Sequence, residues 1–205
     1  MSETFTPTSA LDEETARADV YGLFAQLFYA APGEELLSAL QVAPTEAAAQ
    51  GGFLEEPWRH FVGTCRGLSA TEVAAEYDAL FGGVGRPEVY LYGSHYLSGF
   101  LNERPLARLR EDLAALGLTR DDSMSETEDH FAYVCEVMRY LIAGDDVAVA
   151  NLTRQREFFT THLQPWGAAL CEALQAHPRA RFYRSLGAFT QAFLDVEQQG
   201  FDLLA

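Results

Sequence analysis

Asp129 and His130 stand side by side at the end of the most acidic short stretch of the chain, Ser123-Met-Ser-Glu-Thr-Glu-Asp-His130. A carboxylate beside an imidazole can relay a proton, bind a cation such as guanidinium, or form a satisfied pair. From Asp121 to His130 the acids are Asp121, Asp122, Glu126, Glu128 and Asp129, with no arginine or lysine among them. An apolar stripe follows at helical spacing, Phe131, Val134, Cys135, Met138, Leu141 and Ile142, and predicts a helix opened by this junction. Acids belong in a first helical turn, and Ser125-x-x-Glu128 reads as a capping box. Capping is therefore a sufficient account of Ser125, Glu126 and Glu128. Asp129 is expected to project with Tyr133, Glu136 and Tyr140 away from the stripe, with His130 on its edge.

Other chemistries find less support. His60, His95, His130, His162 and His177 include no i,i+4 pair, no H-E-x-x-H and no Glu-x-x-His on two helices, which argues against a metal site. There is no G-x-S-x-G, and in Gly93-Ser94-His95 the serine and histidine are neighbours in the chain, a poor geometry for a nucleophile and its base. All 14 basic residues are arginine, so lysine-dependent chemistry is excluded: no P-loop lysine, no Schiff base, no kinase ion pair. Cys65, Cys135 and Cys171 are scattered and odd in number, which predicts buried thiols in a reducing compartment. Tyr77, Phe81, Tyr90, Tyr92 and Tyr96 crowd into one glycine-rich region. Tyrosines there can line a groove with apolar walls and hydroxyl tips, suited to a peptide.

The elements that must position these residues are helices. Predicted segments are Leu11–Ala30, Glu34–Gln41, Thr45–Gln50, Pro57–Leu68, a helix capped by the Ser69-x-x-Glu72 box and running to Phe81, and one capped by Asn102 and ending at Gly117. Further segments run to Ile142, over 145–162, from Pro165 to about His177, and over 180–199. Arg179, Arg181 and Arg184 read as a solvated helix start. Only Val89–Tyr92 has any strand character. The expectation is all-α, nine or ten helices, with residues 1–10 a flexible tail, lobes at about 11–118 and 126–205, and a hinge near 119–125. The 205 residues are 48% hydrophobic and carry a net charge of −16. This favours a substantial core, disfavours nucleic acid and anionic membranes, and suits a basic partner. No stretch is long and apolar enough to span a bilayer and no signal sequence is visible, so a soluble cytoplasmic protein is expected.

Taken in order, Glu76-Tyr-Asp-Ala-Leu-Phe81, Tyr92-Gly-Ser-His-Tyr96, Glu126-Thr-Glu-Asp-His130 with Cys135-Glu-Val-Met138, Phe158-Phe-Thr-Thr-His-Leu163 with Pro165-Trp166, and Phe182-Tyr183 resemble the TorD/DmsD family of cytoplasmic chaperones for molybdenum-containing redox enzymes. Thr127 stands where that family's motif has proline, and Leu91 where a proline commonly precedes the loop aromatic. The resemblance implies an all-helical chaperone, not an enzyme. It would bind the twin-arginine signal peptide of an apo molybdenum-dependent oxidoreductase, delay its export and assist cofactor insertion. The implied binding residues are Tyr77, Leu80, Phe81, Tyr92, Ser94, Tyr96, Glu126, Asp129 and His130. No resident cofactor is implied; weak guanine nucleotide binding and a homodimer domain-swapped about the hinge are traits linked to the family. Two rivals remain. One is an assembly factor for nitrate reductase whose partner has no twin-arginine leader; the other is a helical enzyme using Asp129 and His130 as an acid/base pair.

Overall fold

The computed structural model describes residues 7–46, 52–82, 86–121 and 124–203, with side chains from residue 13 onward. Ten α-helices fall within them: α1 (Pro7–Tyr29), α2 (Glu34–Val42), α3 (Glu55–Cys65), α4 (Ala70–Phe81), α5 (Gly93–Ser98), α6 (Arg104–Ala115), α7 (Phe131–Ala143), α8 (Leu152–Phe158), α9 (Gln164–Ala176) and α10 (Phe182–Asp202). A π-helical turn, Phe159–Leu163, joins α8 to α9 without a break. The fold is all-α, as predicted; the only β pairing among the described residues is an isolated bridge between Tyr92 and His130.

Several helix ends follow the local sequence. Ser69 and Glu72 form the expected reciprocal box at the start of α4. Asn151 caps α8, its side chain accepting from the Arg154 amide at 3.1 Å, so this helix begins later than the predicted 145. Elsewhere the structure departs from the prediction. Asn102 is not a cap: it turns through the left-handed region (φ 60°) and Glu103 holds the N-cap position of α6. The tyrosine-rich loop contains a short helix, α5. Of the predicted Thr45–Gln50 segment, Thr45 and Glu46 are not helical and the rest lies outside the described residues. Residues 1–6 of the expected tail also lie outside them, whereas 7–10 already belong to α1.

One apolar core runs through both expected lobes. Phe24 and Phe28 of α1, Phe61 of α3, Phe131 and Met138 of α7, Trp166 of α9, and Tyr183, Phe189 and Phe193 of α10 all belong to it. The most extensive packing is α1 along α7, then α10 against α9 and α3. Aromatic edges lock α1 to α7, α1 to α10 and α3 to α10: Phe28 on Phe131 at 4.7 Å, Tyr21 on Phe193 at 4.9 Å and Phe61 on Phe182 at 5.3 Å. Cys65, Cys135 and Cys171 are free and buried. Burial pushes the Cys65 thiol up to about 12, which keeps it unreactive at neutral pH.

Long-range polar contacts finish the helix ends that the local sequence leaves open. The C-terminal carbonyls of α1 receive hydroxyls from two other helices: Tyr183 donates to the Leu27 carbonyl at 3.1 Å and Tyr77 to that of Tyr29 at 2.6 Å. At the start of α10 the Glu76 carboxylate accepts the amides of Arg181, Phe182 and Tyr183 at 2.9, 3.1 and 2.8 Å. That start is also not simply solvated. Arg179 and His177 both pair with Glu88, the latter at 2.9 Å, and Arg184 donates to the His177 carbonyl at 2.6 Å.

Candidate functional site

The tyrosine loop and the acidic junction are stitched together. The Gly93 amide donates to the Asp129 carbonyl at 2.9 Å and the Phe131 amide to the Leu91 carbonyl at 2.7 Å, one rung on either side of the Tyr92–His130 bridge. Gly93 fits closely there: a Cβ would sit 3.0 Å from the Trp166 indole, so a larger residue would press the ring aside by a few tenths of an ångström.

This stitch overturns the capping account of the junction. α7 starts only at Phe131, and its cap is His130, whose Nδ1 accepts the Ala132 amide at 3.2 Å. Ser125, Glu126, Glu128 and Asp129 therefore precede the helix, and no Ser125–Glu128 box forms. The three carboxylates face three ways. Glu128 is held by Arg110, which approaches to 2.8 Å, and lies 4.0 Å from Arg120. Asp129 is buried; its two oxygens accept from the Ser94 amide at 2.9 Å and the Thr127 hydroxyl at 2.6 Å. Glu126 accepts a short hydrogen bond from the Tyr92 hydroxyl. Arg120 donates to the Glu126 backbone carbonyl at 3.0 Å, and among the described residues no guanidinium reaches the Glu126 carboxylate.

Around Glu126 stands a ring of aromatics, half-buried except for the exposed Tyr29. Tyr92 packs edge-on to His130 at 5.1 Å, Tyr133 lies 5.7 Å from His130, Tyr29 stacks on Tyr133 at 5.8 Å, and Tyr77 meets Phe81 at 5.0 Å. Burial, and then the Glu126 charge, push the Tyr77 hydroxyl up to about 12 and raise that of Tyr92 further; all stay protonated donors. Beyond Tyr29 and Tyr133 the surface continues into a hollow of about 670 Å³ between α1 and α7, edged by Asp19, Gln26, Met124 and Glu136.

Of the residues singled out from sequence, Tyr77, Phe81, Tyr92, Glu126 and His130 come together at this place. Leu80 is fully buried in the core, and Ser94 is buried behind the bridge with Asp129. Tyr96 turns away, stacking on Trp166 at 5.8 Å and donating to the Tyr90 carbonyl at 2.8 Å. Tyr29 and Tyr133 were not anticipated. Tyr29 read as the end of a helix; Tyr133 did sit opposite the apolar stripe of α7, the one signal that a large ring was left over.

As an acid/base pair Asp129 and His130 are poorly placed: the carboxylate turns to α5 and the imidazole to α7. Burial lowers the His130 pKa from 6.5 to about 4, although Glu126 and Asp129 both raise it. The imidazole is thus neutral at pH 7, as its capping role requires. The unfolded state takes up this proton first, so stability should fall as pH drops from about 6.5 toward about 4, by on the order of 3 kcal/mol for this residue. Asn at position 130 keeps a capping acceptor but does not titrate. Urea unfolding at pH 7 and 4.5 should show His130→Asn losing much less than the parent; equal losses would contradict the neutral cap.

Among the described residues no group of three histidines, cysteines or carboxylates could hold a metal ion, and no helix is long and apolar enough to cross a membrane. The sequence model of the nitrate reductase delta subunit family matches residues 46–172, more than half of the chain. The chain is 24% identical over 204 residues to "Chaperone protein TorD" of Vibrio cholerae serotype O1, covering 92% of this chain and 93% of that one. It is 22% identical over 198 residues to the protein of the same name from Vibrio parahaemolyticus serotype O3:K6, covering 88% and 92%.

Proposed function

The chain belongs to the nitrate reductase delta subunit family; on that premise we propose that it is a redox-enzyme maturation chaperone like the TorD proteins it is similar to, not an enzyme, and that it binds the twin-arginine leader of a molybdenum-dependent apo-oxidoreductase at the aromatic ring around Glu126. The client is held in the cytoplasm, before export, while its cofactor is inserted. The observation that carries this reading is the Glu126 carboxylate itself. It lies in a chain with 14 arginines, yet among the described residues none pairs with it, whereas Glu128 two residues on is held by one and approached by a second. A guanidinium supplied from outside would complete it with a charge-assisted bond. The rings of Tyr29, Tyr77, Phe81, Tyr92 and Tyr133 would take the apolar segment that follows the arginines in such a leader. Asp129, Ser94 and His130 fix the geometry from behind, and Leu80 supports it from the core.

The net charge of −16 would steer a basic peptide toward the protein, at a rate that falls as salt rises. Titration of the full chain with leader peptides tests the assignment. Replacing the arginine pair of the leader by alanine should weaken binding by about a hundredfold, and lysine should restore part of it, since a point charge cannot fork onto a carboxylate. Affinity unchanged by either replacement would overturn the role given to Glu126. The description of the matching family favours a second reading, a nitrate reductase partner recognised without such a leader. That reading gains if the leaders fail to bind while a leaderless nitrate reductase catalytic subunit does.

A further inference from the structure

On the inner side of the Tyr92–His130 bridge lies a second hollow, of about 390 Å³, walled by Leu97, Leu109, Val134 and Trp166 between α5, α6, α7 and α9. It shares Ser94 and Asp129 with the backing of the proposed leader site but none of its rings. Its polar lining is the reverse of what a strongly acidic protein would supply by chance. Arg104 and Arg108, one turn apart on α6, both face it. Arg104 makes no ion pair among the described residues. Arg108 comes no nearer than 3.9 Å to Asp112, whose carboxylate already binds His162 at 2.7 Å. Arg104 and Pro105 also place the first turn of α6, the positive end of its dipole, at the rim.

At the hollow is an independent sign of a missing partner. The Ser94 hydroxyl is fully buried, lines the hollow and makes no hydrogen bond among the described residues. A buried hydroxyl in that state costs stability unless an acceptor is supplied to it. Asp129 does not fill that role: its oxygens accept from the Ser94 amide and the Thr127 hydroxyl, and neither takes a bond from the Ser94 hydroxyl. It contributes one negative charge against two guanidiniums.

We infer that this hollow binds a phosphate group carried on a small molecule with an apolar body. A phosphate monoester has the charge to match two arginines. Its oxygens suffice for both guanidinium forks and for the Ser94 hydroxyl, which a carboxylate with two oxygens serves less well. The apolar walls take the body, and the volume lies within the range of about 300–1,000 Å³ common for such sites.

Calorimetric titration of the full chain with phenyl phosphate, inorganic phosphate and benzoate tests this. Phenyl phosphate should bind most tightly, inorganic phosphate more weakly for want of the apolar body, and benzoate more weakly for want of the third oxygen. Arg104→Ala and Arg108→Ala should each weaken phenyl phosphate at least about tenfold, and Ser94→Ala by less. Both arginines are exposed, so their removal should leave the unfolding transition and leader binding in place. No binding of phenyl phosphate at millimolar concentration, or binding unchanged in both arginine variants, would overturn the site. Benzoate binding as tightly as phenyl phosphate would overturn the phosphate assignment.

Discussion

Replacing Glu197 by alanine should cost about 3 kcal/mol of stability, because it strips a shielded ion pair of one partner. Glu197 on α10 receives two bonds from the Arg17 guanidinium of α1, at 2.7 and 2.8 Å, and a third from the Tyr21 hydroxyl at 3.0 Å. Arg17 extends the network to Gln155 of α8 at 3.2 Å, and Gln155 donates in turn to the Leu141 carbonyl of α7 at 3.1 Å. Four helices are tied through one carboxylate that is only 5% exposed. Removal leaves a guanidinium at 18% exposure and a buried phenol hydroxyl without their acceptor. Urea unfolding should therefore show a lowered midpoint, with the slope unchanged if unfolding stays two-state. The paired replacement Arg17→Met with Glu197→Leu removes both charges together and should recover most of the loss. A paired variant no better than Glu197→Ala would mean that the network is required for the packing of α1 on α10, and not merely tolerated.

The second large effect is on binding. Glu126→Ala should weaken the leader by about 2 kcal/mol, roughly thirtyfold, since the carboxylate lies half-buried among rings where a guanidinium partner is only partly screened. Stability should move little, because among the described residues the only hydrogen bonds to this carboxylate come from the Tyr92 and Ser125 hydroxyls. Glu126→Gln keeps an acceptor for Tyr92 and should fall in between. Its neighbours should behave differently under the same peptide. Glu128→Ala should scarcely change affinity, its charge being engaged by Arg110. Asp129→Ala should reduce stability before affinity, because it unpairs the buried Ser94 amide. One measurement on three acids within four residues thus separates three roles.

The contrast between Ser69-x-x-Glu72 and Ser125-x-x-Glu128 shows what the sequence could convey. Both have the same pattern, and only the first forms a box. At Ser69 nothing competes with the local bonds. At Ser125 the chain is drawn across to Tyr92, the helix is delayed to Phe131, and His130 supplies the cap. That pairing joins residues 38 positions apart, and no local periodicity records it. The same holds for Glu76, which the sequence offers only as the first residue of a motif and which caps a helix more than a hundred residues later. Helix content and the core stripe of α7 were legible because they depend on spacing within one segment. Tyr77, Phe81, Tyr92 and Glu126 were named together by the family resemblance, while residue type and spacing alone assigned Glu126 to a helix cap. Tyr29 and Tyr133 were not, because their proximity depends on how α1 lies along α7.

The central claim is that Glu126 pairs with an arginine of the leader, and a double-mutant cycle measures that pair directly. Leader affinity would be taken for the parent and Glu126→Ala, each against the native leader and one with a single arginine replaced by alanine. For one of the two arginines the effects should fall short of additive by more than about 1 kcal/mol. Additive effects for both arginines would contradict the account and place the guanidiniums elsewhere on the protein.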